Sequence, residues 1–156
     1  MNKLIRNFAL FLGLATSFSA LATDAQVVVD AKSAANWIAS ALTSSGYQAD
    51  FTLESLKEID RFIYEQAPGG KPKAGSLLSE KLGARLFALG AYTGEVILRS
   101  SGGAWKADDN DPQAEINIAI VQKNGTESWP VQRVMKRLKN GQEDSVFAYG
   151  VALLNR

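Results

Sequence analysis

The chain has 156 residues, with 17 lysines and arginines against 16 aspartates and glutamates, and it contains neither cysteine nor histidine. This length predicts one domain, and the balanced charge disfavours nucleic acid, whose partners present a basic surface. Without histidine and cysteine, Ser-His-Asp and Cys-His nucleophiles, the usual zinc sites and disulfides are excluded. We expect no metal and no cofactor.

The first 22 residues have the pattern of a secretory signal peptide. Lys3 and Arg6 give a basic start, residues 8–18 form an apolar run, and residues 20–22 read Ala-Leu-Ala, a small-residue cleavage site. We therefore expect cleavage after Ala22 and a periplasmic or secreted domain over residues 23–156 that does not span a membrane. An uncleaved anchor is the alternative.

Two helices are expected next. Residues 26–29, Gln-Val-Val-Val, predict a short strand or extended arm, and Ala31 to Thr43 has the apolar period of a helix. A second helix, capped by Asp50 or Thr52 and ended by Pro68-Gly69-Gly70, has a clear apolar face. That face comprises Leu53, Leu56, Ile59, Phe62 and Ile63, and the outer face comprises Glu54, Lys57, Glu58, Asp60 and Arg61.

A long central helix is predicted from Leu77 to Ser100, capped by Ser76. Gly83, Gly90 and Gly94 line a strip beside its apolar face. Each glycine costs about 1 kcal/mol of helix stability relative to alanine, so we expect a sheet or a second helix to approach closely there. A narrow polar band remains on the outside, formed by Lys81, Arg85, Tyr92, Glu95 and Arg99.

A small antiparallel sheet should follow. Residues 104–106 predict a strand, Asp108 to Pro112 a polar turn, and alternating Ile116, Ile118 and Ile120 a half-buried strand. Asn124-Gly125 is the strongest short hairpin signal, a two-residue type I′ turn. That turn would pair Lys123 with Thr126, Ile120 with Trp129 and Ile118 with Val131, with Pro130 ending the strand.

The chain should end in one or two short helices. Val131 to Lys139 predicts a basic helix closed by Asn140-Gly141. Val146 to Leu154 predicts a helix capped from Asp144-Ser145, with a closing strand as the alternative. The sequence therefore predicts a single α+β domain, with N-terminal helices and the glycine-striped helix packed on the sheet.

Three groups of residues are candidates for function. Glu95 is a weak candidate for a catalytic carboxylate, because no second carboxylate is fixed near it and Arg99 is placed to pair with it. A partner-binding surface is expected on the basic helix, and a ligand groove is the further alternative. The basic surface comprises Arg133, Lys136, Arg137 and Lys139, and the groove Tyr92, Glu95, Arg99, Trp105 and Trp129.

Each group also has a structural explanation that requires no function. A solvated helix face, whose cations also suit the C-terminal end of the helix dipole, explains the basic residues better than a binding role, and core packing better explains the tryptophans. The acidic run from Asp108 to Asp111 resembles a calcium loop only in composition, because Pro112 breaks the alternation and the required glycine and glutamate do not follow. We expect that run to be a solvated turn.

Two blocks of sequence carry a resemblance. The first is LGAYTGEV over residues 89–96, followed by GGAW over 102–105, and the second runs from WPVQRV at 129–134 through KRLKNGQEDS at 136–145. Together they resemble a group of small, uncharacterised exported bacterial domains with the pattern LGAYxGEV…GGxW…KRLxNGxEDS. The resemblance covers roughly Leu53 to Leu154 and implies one compact domain, with no established activity.

The function we favour from the sequence is a non-catalytic periplasmic protein-interaction module, for example an immunity- or inhibitor-type protein. Its partner would be another protein. A carboxylate-dependent hydrolase and a small-ligand or cell-wall-binding domain of the bacterial envelope are the alternatives.

Overall fold

The computed structural model describes residues 24–156, so the predicted signal peptide lies outside the described residues. The predicted α+β fold is confirmed: the described residues form six α-helices and a small three-stranded antiparallel sheet. The helices are α1 Gln26–Ser44, α2 Leu56–Gln66, α3 Leu82–Ser101, α4 Ala114–Asn117, α5 Pro130–Asn140 and α6 Val146–Leu154, with 3₁₀ turns at Pro68–Gly70 and Gln142–Asp144. The strands are β1 Gly103–Lys106, β2 Ala119–Gln122 and β3 Glu127–Ser128.

Helix α3 lies in the middle of the core, between α1 and α5. The predicted close approach across its glycines is confirmed at two of the three. A Cβ at Gly90 would lie 2.4 Å from the Cα of Val131 on α5, and a Cβ at Gly94 would lie 2.1 Å from the Trp105 ring on β1. Gly83 has no neighbour within 4 Å of such a Cβ. Helix α5 and strand β1 therefore both pack closely against α3 at positions where glycine leaves room for them.

The predicted start of the central helix is wrong. Helix α3 begins at Leu82 rather than Leu77, and Ser76 does not cap it. The residues before it form turns, with Ser79 N–H donating to the Ser76 carbonyl, and Lys81 has a left-handed φ of 48°. This conformation ends any helix that approaches from residue 77. Leu78 nevertheless remains fully buried, which explains why it fitted the apolar period.

The strand or arm predicted for residues 26–29 is also wrong, because α1 begins at Gln26. The carboxylate of Asp109 accepts hydrogen bonds from Gln26 N at 2.6 Å and Val27 N at 3.0 Å. These are N–H groups that a helix start leaves without internal partners. A residue distant in sequence therefore supplies the cap, and the local pattern contains no sign of it.

The sheet has the order β1-β2-β3 with antiparallel neighbours. The strand at 104–106 is confirmed. The isoleucine strand is shorter than predicted, since Ile116 belongs to α4 and is exposed.

The hairpin register predicted from the Asn-Gly turn is wrong by one residue. Ile120 pairs with Ser128, not with Trp129. Gly125 N–H donates to the Gln122 carbonyl, and Gln122 N–H donates to the Thr126 carbonyl. Gly125 has a φ of 85°, whereas Asn124 is not left-handed as a type I′ turn would require. The loop is therefore a three-residue turn with glycine at its left-handed position, and the predicted pairing of Ile118 with Val131 fails with it.

Both C-terminal helices are confirmed. Helix α5 closes at Gly141, whose φ is 89°, and Pro130 occupies its first position. Residues 146–154 are helical, which settles the choice against a strand, and the Ser145 hydroxyl accepts a hydrogen bond from Ala148 N. No helix between residues 24 and 156 has the length and apolarity needed to cross a membrane.

Candidate functional site

A cavity of about 440 Å³ lies between β3, the first turns of α5, and α6. We call it the α5–α6 cavity. The residues on which the following argument depends are Ser128, Trp129, Arg133, Lys136, Glu143 and Tyr149, all of which line it.

The hairpin register determines how Ser128 and Trp129 enter this cavity. Because Ile120 pairs with Ser128, the serine side chain points to the buried side of the sheet and is only 5% exposed. Trp129 leaves the sheet as the residue before α5, and its side chain is 43% exposed. In the predicted register, Trp129 would pair with buried Ile120 and face the core. The observed register is shifted by one residue, so Trp129 lies at the rim of the cavity instead.

The cations of the cavity differ in how firmly they are held. Arg133 donates to the Asp144 carboxylate, and its guanidinium lies 4.8 Å from the centre of the Tyr149 ring. Lys136 is exposed and forms no ion pair with any residue in the described range 24–156. Arg133 is thus fixed in place, while the charge of Lys136 is available to a partner.

The floor of the cavity carries buried polar atoms without partners. Ser128 Oγ and Tyr149 OH contact essentially no solvent and accept or donate no hydrogen bond among the described residues. The same holds for Gln122 Oε1, which does not line this cavity. Burial raises the pKa of Tyr149, and the nearby Ser128 hydroxyl, the Arg133 charge and the Trp129 backbone oppose that rise, although neither Ser128 nor the Trp129 backbone forms a hydrogen bond of normal length and angle with Tyr149 OH. Such unsatisfied groups are uncommon in native proteins and need an explanation.

Tyr92, predicted on the polar band and in a ligand groove, is instead fully buried. Its hydroxyl lies 2.6 Å from Ser55 Oγ and accepts a hydrogen bond from Phe51 N at 3.0 Å. Burial raises the pKa of Tyr92, and the hydrogen bonds with Ser55 and Phe51 N oppose that rise. Tyr92 therefore connects α3 to the loop before α2. Its hydroxyl is the hydrogen-bond partner of the Phe51 backbone N–H in that loop.

Glu95 and Arg99 remain at the edge of α3. Glu95 accepts a hydrogen bond from Trp105 Nε1 at 2.8 Å, and Arg99 Nε lies 3.7 Å from its other oxygen. The Arg99 guanidinium in turn stacks 3.6 Å from the centre of the Phe51 ring. These contacts bring Glu95, Arg99 and Trp105 together as a packing cluster, whereas Trp129 belongs to the α5–α6 cavity.

The basic helix does not present its four cations on one face. Arg137 is 4% exposed, and its Nε donates to Asp60 Oδ1 at 2.8 Å. Lys139 is exposed near the opposite end of α5 from Trp129. Of these four cations, only Arg133 and Lys136 line the cavity, where Arg156 joins them, whereas Arg137 is buried against Asp60.

Asp60 was expected on the outer face of the second helix, and that is wrong. Besides Arg137, its carboxylate accepts hydrogen bonds from Ser145 Oγ at 2.7 Å, Val146 N at 2.9 Å and Phe147 N at 3.1 Å. It caps α6 and neutralises a buried guanidinium, so it joins α2 to both C-terminal helices. Its place among charged neighbours in the sequence gave no signal of this role.

No cluster of three metal-ligating side chains occurs within the part of the chain that the structure describes. In the acidic turn, Asp109 caps α1 and Asp111 accepts hydrogen bonds from Asn117 and from Gln113 N, which lower the pKa of Asp111 in that order of importance. These carboxylates therefore have structural partners.

Comparisons of the chain with protein-family models, with curated proteins and with solved structures found no match. The resemblance to small exported bacterial domains stays a prediction.

Proposed function

We propose that this chain is a non-catalytic binding module of the bacterial envelope that holds an acidic segment of another protein at the α5–α6 cavity. An immunity- or inhibitor-type protein, which blocks a toxin or an envelope enzyme, would work in this way. The observation that carries the proposal is the convergence of Trp129, Arg133, Lys136 and Tyr149 on one cavity.

The composition of this cavity supports a protein partner. Tryptophan, tyrosine and arginine are the residues that most often dominate binding energy at protein interfaces, where they cluster in a pocket. Trp129 offers a large exposed ring, and Tyr149 and Arg133 form a stacked pair behind it. The positive charge of Lys136 favours an acidic partner and predicts binding that weakens as salt rises.

The catalytic alternative has less support. Glu95 is engaged by Trp105 and Arg99, and general acid–base hydrolysis needs a second positioned group. The ligand-groove alternative also has less support, because Tyr92 is buried in the core and does not line a groove. A binding role for the cavity therefore explains more of the exposed chemistry than either alternative.

The test is affinity capture from the envelope fraction with the full chain. An affinity tag inserted after Ala74 would lie in an exposed loop whose residues do not line the cavity. We expect one dominant protein, released by salt and lost with Trp129→Ala or Lys136→Glu. Trp37→Ala is the matched control, because Trp37 is also exposed, at 53%, but lies on α1. Capture that Trp37→Ala abolishes and Trp129→Ala leaves intact would contradict the proposal.

A further inference from the structure

The hydroxyls on the floor of the α5–α6 cavity lack the partners that buried hydroxyls normally have. Ser128 is 5% exposed, and neither its Oγ nor Tyr149 OH has a hydrogen-bond partner among the described residues. Leaving such a group unsatisfied is unfavourable, so native structures rarely keep one without a reason. A group supplied by a binding partner is one such reason.

The surroundings of the two hydroxyls favour a negative group. Arg133 lies over the Tyr149 ring, and Lys136 follows Arg133 by one helical turn. Helix α5 begins beside Ser128, and no side chain caps its first turn. Cationic side chains and free N–H groups at a helix start both stabilise an anion.

Two carboxylates on the rim limit the charge of that anion. Glu127 and Glu143 also line the cavity, and only Glu127 has an ion pair within residues 24–156, to Lys106 at 3.0 Å. These two carboxylates offset the charges of Lys136 and Arg156, which line the same cavity, so a group with several negative charges would be repelled. A single carboxylate carries one charge, accepts several hydrogen bonds and can receive them from both hydroxyls.

We propose that the partner inserts one glutamate or aspartate side chain, whose carboxylate accepts hydrogen bonds from Ser128 Oγ and Tyr149 OH and pairs with Lys136. Because both oxygens are closed off from solvent, the entering carboxylate has to displace the side chains that cover them. This inference rests on the proposed function in one respect, namely that the carboxylate belongs to a partner protein.

A matched pair of small probes tests the chemistry directly. N-acetyl-L-glutamate α-methylamide carries a single side-chain carboxylate, and N-acetyl-L-glutamine α-methylamide is its neutral counterpart. In ¹⁵N NMR titrations of the full chain over the millimolar range, the acid should shift the Trp129 indole signal and the Ser128 and Tyr149 amides. The amide should not. Equal shifts from both probes would overturn the inference.

Tyr149→Phe separates binding from folding. It removes a hydroxyl that has no partner in the free chain, so resistance to urea should be unchanged or higher, while affinity for the acid probe falls about tenfold. Tyr92→Phe should behave oppositely, losing stability and keeping affinity, because that hydroxyl bonds Ser55 and Phe51 N. A Tyr149→Phe variant that loses stability and keeps affinity would overturn the inference.

The two proposals fail separately. A protein captured through Trp129 together with no response to the acid probe would contradict the carboxylate and leave the binding module standing. A probe response without any captured protein would support the carboxylate site and contradict the protein partner.

Discussion

Asp60 illustrates how one side chain can organise several elements. Its carboxylate receives four hydrogen bonds, from Arg137 Nε, Ser145 Oγ, Val146 N and Phe147 N. Arg137 is almost fully buried, so its charge depends on this contact. Removing one partner of a buried ion pair is strongly unfavourable, because the other charge stays buried without compensation.

We therefore predict that Asp60→Ala lowers the free energy of unfolding by about 3–5 kcal/mol in urea denaturation followed by circular dichroism. The control is Glu54→Ala on the outside of the same region. The Glu54 carboxylate pairs with Lys57, and both side chains are more than half exposed. Its loss should cost less than about 1 kcal/mol. Similar losses for the two variants would contradict the role given to Asp60.

Among the elements, α3 packs closely against its neighbours at positions where a glycine leaves its backbone without a side chain. We predict that Gly90→Ala destabilises the fold by at least about 2 kcal/mol, because its Cβ would meet the backbone of Val131 at 2.4 Å. Gly83→Ala is the control in the same helix, where no atom lies within 4 Å. It should leave stability unchanged or raise it by up to about 1 kcal/mol. Equal effects of the two alanines in urea titrations would refute the packing argument.

Helix α1 depends on a cap from another part of the chain. Hydrogen bonds from Val27 N and then Gln26 N lower the pKa of Asp109. A carboxyl group whose folded-state pKa is depressed stabilises the fold above its unfolded pKa, and that contribution disappears as the pH falls through the folded value.

Asp109→Ala should therefore lower the Tm at pH 7, and the difference from the unaltered chain should shrink below about pH 4. Thermal unfolding monitored by circular dichroism between these values is the measurement. Asp108→Ala is the control, since the Asp108 carboxylate bonds Asn110 within its own turn. A Tm difference for Asp109→Ala that stays constant down to acid pH would be inconsistent with the cap.

The elements also show what local sequence pattern can and cannot predict. The type of α1, α2, α3, α5 and α6 follows from apolar period, and β1 and the hairpin from alternation and turn residues. The start of α1 could not be predicted, because Asp109 supplies it from a distance. The hairpin register failed because Asn-Gly is compatible with more than one loop length.

The α5–α6 cavity could be predicted only in part, because its lining depends on contacts between residues that are distant in the sequence. Residue type and spacing predict Arg133 and Lys136 on a partner-binding helix, but they place Trp129 in a separate ligand groove. Ser128 and Tyr149 were missed, because an unpartnered buried hydroxyl becomes visible only when the hairpin register and the packing of α6 are known. Helical spacing predicts Arg137 on one exposed face with Arg133 and Lys136, whereas in the structure Arg137 is buried and pairs with Asp60.

For the whole molecule, the described chain combines a packed core with a cavity whose lining includes polar atoms without hydrogen-bond partners. Helices α1, α3 and α5 and the Asp60 contacts fix the scaffold, and the α5–α6 cavity presents Trp129 and Lys136 to the outside. This division, with the proposed binding residues on the rim of a packed support, suits the proposed role of holding a partner.

The most direct test of that claim is site-specific photocross-linking in intact cells. A benzophenone amino acid at Gln132, which lines the cavity, should form one covalent protein adduct that Lys136→Glu suppresses. The same group at Asn36, exposed on α1, serves as the control. An adduct at residue 132 but not at residue 36 is the result we predict. A partner that cross-links at residue 36 and never at residue 132 would contradict binding at the α5–α6 cavity.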